Sequence, residues 1–101
     1  MITMYLKIHE NPSGKIVAVC DKELIGQVLE DETRYLDLDK YRNFYMGEHV
    51  EEDAVKKALE NFGSANVVGE RGVRIAIEMG IVEESSVMNI NDVPYVQIYR
   101  V

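Results

Sequence analysis

The sequence predicts an α+β domain, a mainly antiparallel sheet of about five strands with two main helices packed on one face. Three observations carry that expectation. The chain opens with two strand-like runs, Met4 to His9 and Lys15 to Cys20. Its middle carries two stretches of helical period, Glu51 to Phe62 and Asn66 to Gly80. It closes on two further extended runs, Val87 to Ile90 and Tyr95 to Val101. At 101 residues, without a low-complexity tract, linker or repeat, the chain is expected to form a single domain over 1–101.

In the first run Met4, Leu6 and Ile8 alternate with Tyr5, Lys7 and His9, so one face is expected to be buried and the other, with His9, to face outward. Asn11 to Gly14 is a turn signal, and it joins this strand to the next as a hairpin. Val17, Ala18 and Val19 are apolar without interruption, which suits a central strand covered on both faces. Asp21 is placed to cap a short helical turn bearing Leu24, Ile25 and Val28. Arg34 to Leu38 reads as a third, shorter strand. In the helix over 51–62, Glu51, Glu52 and Asp53 complement the dipole at its start, and Val55, Leu59 and Phe62 form its apolar side. Gly63 stops it, so the two helices are expected to follow each other closely. Asn91 to Pro94 joins the last two strands. If the strand from Tyr95 lies at a sheet edge, it can pair with another copy to form a homodimer.

The run from Asn66 to Gly80 holds the strongest functional signal. Val68, Gly72, Ile75, Ala76 and Met79 make an apolar face, while Glu70, Arg71, Arg74 and Glu78 fall opposite it. Gly80 stands where a left-handed C-cap is wanted. Gly69 and Gly72 lie inside the periodic run, where each glycine costs about 1 kcal/mol against alanine. One reading is that Asn66, Gly69, Gly72 and the first-turn N–H groups hold an anion, with Arg71 and Arg74 adding charge. The other is close packing at Gly72, with Glu70–Arg74 and Arg74–Glu78 as ordinary pairs on a solvated face. The spacing matches neither the phosphate-binding loop nor the dinucleotide fingerprint.

A second constellation runs from Lys40 to Gly47. Tyr41, Phe44 and Tyr45 could stack on unpaired bases while Lys40 and Arg42 meet phosphates. Alternatively Phe44 and Tyr45 tuck beneath the helix over 51–62, with Tyr41 covering its edge. If this loop lies beside Arg71 and Arg74, basic and aromatic groups converge on one surface.

Composition narrows the function. The net charge of −7 argues against a general nucleic-acid coat but allows a local basic patch. One cysteine rules out an internal disulfide and suits a reducing, cytoplasmic setting. No apolar run approaches a membrane span, and the start lacks the pattern of a signal peptide. The two histidines, His9 and His49, are forty residues apart, and with Cys20 they show no catalytic or metal-ligand spacing. No cofactor or metal is expected, and no catalytic residue is assigned.

Gly69 to Val82 resembles the signature helix of domain-of-unknown-function family 424, a set of small, mostly archaeal proteins. The stretches Val17 to Gly26, Phe44 to Glu48 and Val93 to Ile98 agree with it in order, so the resemblance covers nearly the whole chain. Gly72 stands where that family tends to have alanine, and Tyr95 where it often has histidine. The resemblance implies an archaeal cytoplasmic protein that keeps company with the translation machinery. The expected function is an accessory factor binding RNA or a ribonucleoprotein through Tyr41, Arg42, Phe44, Tyr45, Asn66, Gly69, Arg71, Gly72 and Arg74. The alternatives are a protein–protein adaptor and, further off, an anionic-ligand binder or enzyme at the Gly69–Gly72 turn.

Overall fold

The computed structural model describes residues 3–100. Strands β1 (Met4–Asn11) and β2 (Gly14–Asp21) form the expected hairpin, in register from Met4 opposite Asp21 to Asn11 opposite Gly14. Pro12 and Ser13 are its loop, and the Asn11 side chain accepts the Ser13 N–H at 3.0 Å, an Asx turn. A 3₁₀ turn at Lys22–Leu24 follows, then β3 (Val28–Glu30) and β4 (Tyr35–Asp37), which pair with each other as a separate two-stranded sheet. A single-turn helix α1 (Arg42–Tyr45) leads to β5 (Glu48–Val50), which lies along β1. Helix α2 (Glu52–Ala58) precedes β6 (Ser64–Val68), and α3 (Glu70–Glu78) follows it. The chain ends with β7 (Met88–Ile90) and β8 (Val93–Tyr99). Val101, counted with the last strand in the sequence reading, lies outside the described residues.

The main sheet has six strands in the order β5-β1-β2-β6-β8-β7, and β2 and β6 run parallel while every other neighbouring pair is antiparallel. The α+β class stands, but the sheet is larger than five strands and mixed. The parallel pair exists because Ser64–Val68 is a strand and not the start of the long helix. Val67 and Val68 are β-branched and half of a buried run, a preference that favours the pleated sheet over a helix. The two helices are thus not consecutive, because a central strand separates them.

Packing follows on both faces. On one, Val17, Val19, Ala65, Val67 and Val96 meet Val55 of α2, Leu59 and Phe62 from the stretch after it, and Val73 and Ile75 of α3. On the other, Ala18, Cys20 and Val68 meet Leu29 of β3, Leu38 just after β4 and Tyr45 of α1. Helices therefore lie on both faces, with only the two longer ones together. Val17, Ala18, Val19 and Cys20 are fully buried, as their continuous apolar run requires of a strand covered on both sides. Each such valine contributes about 1.5–3 kcal/mol on burial.

The helix α2 is shorter than its periodic pattern. It ends at Ala58, and the chain turns so that Phe62 reaches the core with the Arg100 guanidinium 4.2 Å over its ring. Gly63, the residue before β6, already bonds to β2, donating its N–H to Lys15 O at 2.9 Å. At the end of α3, Gly80 (φ 75°) closes a Schellman motif: Ile81 N–H reaches Ala76 O and Gly80 N–H reaches Ile77 O.

Gly72 is a packing glycine. A β-carbon there would stand 2.8 Å from Val67 Cγ1 and 3.1 Å from Val19 Cγ1, so α3 rests on β2 and β6 only because position 72 has no side chain. Overpacking costs about 1–3 kcal/mol and the helix preference for alanine returns about 1 kcal/mol. Gly72→Ala is therefore expected to lower stability by about 1 kcal/mol in equilibrium urea unfolding. A variant as stable as the parent would show that Val19 and Val67 give way freely.

Candidate functional site

The strands β2 and β6 run side by side and end together, at Asp21 and Val68. Ligands of open sheets containing parallel strands collect outside such carboxyl ends. Here Gly69 makes the turn from β6 into α3 at φ 107°, and its N–H bonds to Pro94 O at 2.8 Å. The turn presents the first N–H groups of α3 toward the end of β2, and Asp21 takes them. Its Oδ2 accepts the Arg71 N–H at 3.0 Å and its Oδ1 accepts the Gly72 N–H at 3.2 Å. A β-carbon on residue 69 would overlap this carboxyl group, so the turn needs glycine for space as well as for its backbone angle.

Asp21 is 2 % exposed, the one buried ionisable carboxyl among the described residues. Burial pushes its carboxyl above the usual range, while the two N–H bonds pull the other way. The Arg71 guanidinium stands 3.6 Å from Asp21 Oδ2 and 2.6 Å from Glu23 Oε1. The anion position at this helix start is thus filled by the protein's own carboxylate. The sequence reading had assigned Asp21 to the turn that follows it, where its side chain makes no capping bond. The residue type was right and the helix was the wrong one.

A cleft of about 280 Å³ opens here, with Asp21, Glu23, Glu70, Arg71, Arg74 and Asp92 among its lining groups. A second concavity, of about 380 Å³, lies between Arg71 and Arg74 on one side and Glu51, Glu52 and Asp53 on the other. Arg74 also lines a third with Ile77, Glu84 and Val87. Arg74 is exposed and makes no hydrogen bond or ion pair among the described residues. The expected pairs with Glu70 and Glu78 are not formed.

The remaining expected residues do not join this cleft. Asn66 sits in mid-strand, between Ala18 on β2 and Gln97 on β8, because its segment is sheet and not helix. Phe44 and Tyr45 turn toward the core on the face opposite α3. Phe44 stacks on His9 with centroids 4.6 Å apart, and Tyr45 is buried, its hydroxyl pushed up by desolvation. His9, expected on an open face, is half-buried, with Nε2 2.8 Å from Phe44 O. Tyr41 and Arg42 stay at the surface, Arg42 held by Asp39 at 2.6 Å. The expected convergence of aromatic and basic groups is not formed, since the aromatic segment serves as a lid for the second apolar cluster. Cys20 is fully buried and its thiol is pushed to about 12, chiefly by desolvation. Among the described residues no three metal-ligating side chains come together, and no helix is long and apolar enough to cross a membrane.

Glu23, Asp92 and Pro94 were missed as members of the cleft. Nothing local marks them, since they arrive from the turn after β2, from the β7–β8 connection and from the start of β8.

Removing the Asp21 carboxylate leaves two N–H groups without their acceptor and frees Arg71. Asp21→Ala is expected to cost about 2–4 kcal/mol. Glu23→Gln, at an exposed pair, is expected to cost less than about 1 kcal/mol. Chemical denaturation of the two variants tests the difference, and equal losses would contradict it.

The family model described as "Protein of unknown function (DUF424)" matches residues 8–101. Among solved structures, that of an uncharacterized conserved protein from Methanopyrus kandleri is similar at 26% identity, covering 95% of this chain and 90% of that one, with a TM-score of 0.77. None of the curated proteins compared with the chain matches it.

Proposed function

This chain belongs to the DUF424 family, and we propose that it is an accessory factor that docks on RNA or a ribonucleoprotein near translation through Arg71 and Arg74. The observation that supports this reading is Arg74, a solvent-exposed guanidinium with no partner among the described residues, set where three concavities adjoin. An unpaired arginine on an otherwise acidic face offers one strong, directional contact to a phosphate. Arg71 is already shared by Glu23 and Asp21 and adds less. Asp21, Glu23, Glu70 and Asp92 around them limit the contact to one or two phosphates, in keeping with a net charge of −7. Tyr41 and Arg42 are exposed and can touch the same assembly from another side, while Phe44 and Tyr45 act through the fold. The translation context rests on the family resemblance.

A protein–protein adaptor is the second reading. It is favoured by the acids Glu51, Glu52 and Asp53, which share a concavity with the two arginines and suit a partner of mixed charge.

Sedimentation of the tagged protein in a lysate of its own organism, with and without ribonuclease, separates the two. Under the RNA reading, association falls with salt at a slope of about −0.7 to −1 per phosphate neutralised, and Arg74→Ala removes about one such unit. Association that survives nuclease and is indifferent to Arg74→Ala would sink the RNA reading and favour the adaptor.

A further inference from the structure

The six-stranded sheet guards its free edges, with one exception. The two-residue turn at Asn91 and Asp92, both at positive φ, makes Ile90 and Val93 a bonded pair, so the Asn89 carbonyl of β7 faces out. Arg34 Nη1 caps that carbonyl at 3.1 Å. On the other side β5 is three residues long and starts at Glu48, and the stretch of β1 that it leaves open carries Lys7 and Glu10. Short strands and charges of this kind deter edge-to-edge pairing.

The exception is the second half of β8. Strand β7 covers only Val93 to Tyr95, so Val96 to Tyr99 have β6 on one side and no strand on the other. The register shows which groups are open. Arg100 N–H bonds to Gly63 O and Gly69 N–H to Pro94 O, so Ile98 and Val96 direct their backbone groups to β6. Gln97 and Tyr99 direct theirs outward, where no backbone bond receives them among the described residues. Neither residue is charged, and Tyr99 is 71% exposed. Beside this edge runs a groove of about 420 Å³, walled by Ile81, Val82 and Glu83.

We propose that this edge pairs with the same edge of a second copy, antiparallel about a twofold axis at Ile98. The pairing is isologous and self-matching. Gln97 of one copy meets Tyr99 of the other, twice, and each such pair exchanges two backbone bonds. Ile98 faces Ile98 across the axis at the close, non-bonded spacing, on the side of the sheet where its side chain already joins the apolar cluster under α2 and α3. The same register sets Arg100 of the second copy opposite Val96, which lines the groove together with Glu83, so the second copy brings a positive charge to a groove that carries a negative one. The two sheets then form one continuous sheet of twelve strands.

Analytical ultracentrifugation of the purified chain at about 100 µM tests the pairing and is expected to give twice the 11.5 kDa chain mass. Gln97→Lys with Tyr99→Lys sets lysine opposite lysine and is expected to yield a monomer. Gln97→Lys with Tyr99→Glu sets lysine opposite glutamate and is expected to restore the dimer. Both positions are exposed with outward backbone, so the far-ultraviolet circular dichroism spectrum of each variant should match the parent's, showing that the fold is kept. A monomeric parent, or a dimer that both double variants leave intact, would overturn the proposal, as would a parent that becomes larger only by holding an added peptide of unrelated sequence.

Discussion

The contact between the Asp21 carboxylate and the first N–H groups of α3 is the constraint on which the arrangement rests. It joins the end of β2 to the start of a helix fifty residues further on. It sets the height of α3 above the sheet, and Gly72 then lets the helix sink until its backbone touches Val19 and Val67. With α3 held there, Arg71 pairs with Asp21 and Glu23, while Arg74, one turn later, forms no ion pair among the described residues. Burial costs the carboxylate solvation that two hydrogen bonds and a partly exposed arginine only partly return. Its chief effect is to specify one position for the helix.

Much of this was legible residue by residue. The β1–β2 hairpin followed from Asn11 to Gly14, the burial of β2 from its unbroken apolar run, and the end of α3 from Gly80. These signals are local, each needing only a few neighbouring residues to act. The strand β6 was not legible, because Val67 and Val68 satisfy the helical period of the residues after them as well as the strand preference of their own. What decides between the two is the empty position beside β2, which no short window of sequence contains. Gly69 then changes meaning, from a glycine inside a helix to the hinge before one.

The candidate site was half legible for the same reason. Arg71 and Arg74 line a cleft together with Gly69, beside which the sequence reading set them. The aromatic segment from Lys40 to Gly47 was read as a surface that could face a ligand, yet β3, β4 and α1 leave an apolar cluster on the second face that Phe44 and Tyr45 are the nearest groups to close. Tyr41, which has no such cluster to cover, remains outside. Charge behaves in a comparable way: acids brought in by three separate segments surround the arginines, so the field at the cleft differs from what the helix alone implied.

The parallel pairing of β2 with β6 also bears on how the chain reaches this state. Ile16 and Ser64 meet although forty-eight residues separate them, and the small sheet, α1, β5 and α2 all lie within that span. Closing so long a loop is entropically slow compared with forming the neighbouring hairpin. During synthesis the β1–β2 hairpin can therefore form early, but the inner side of β2 waits, unpaired, until β6 has been made. The strand that carries the unbroken buried run from Val17 to Cys20 is the one left exposed in that interval, and the time it spends so is set by the translation of the segment between.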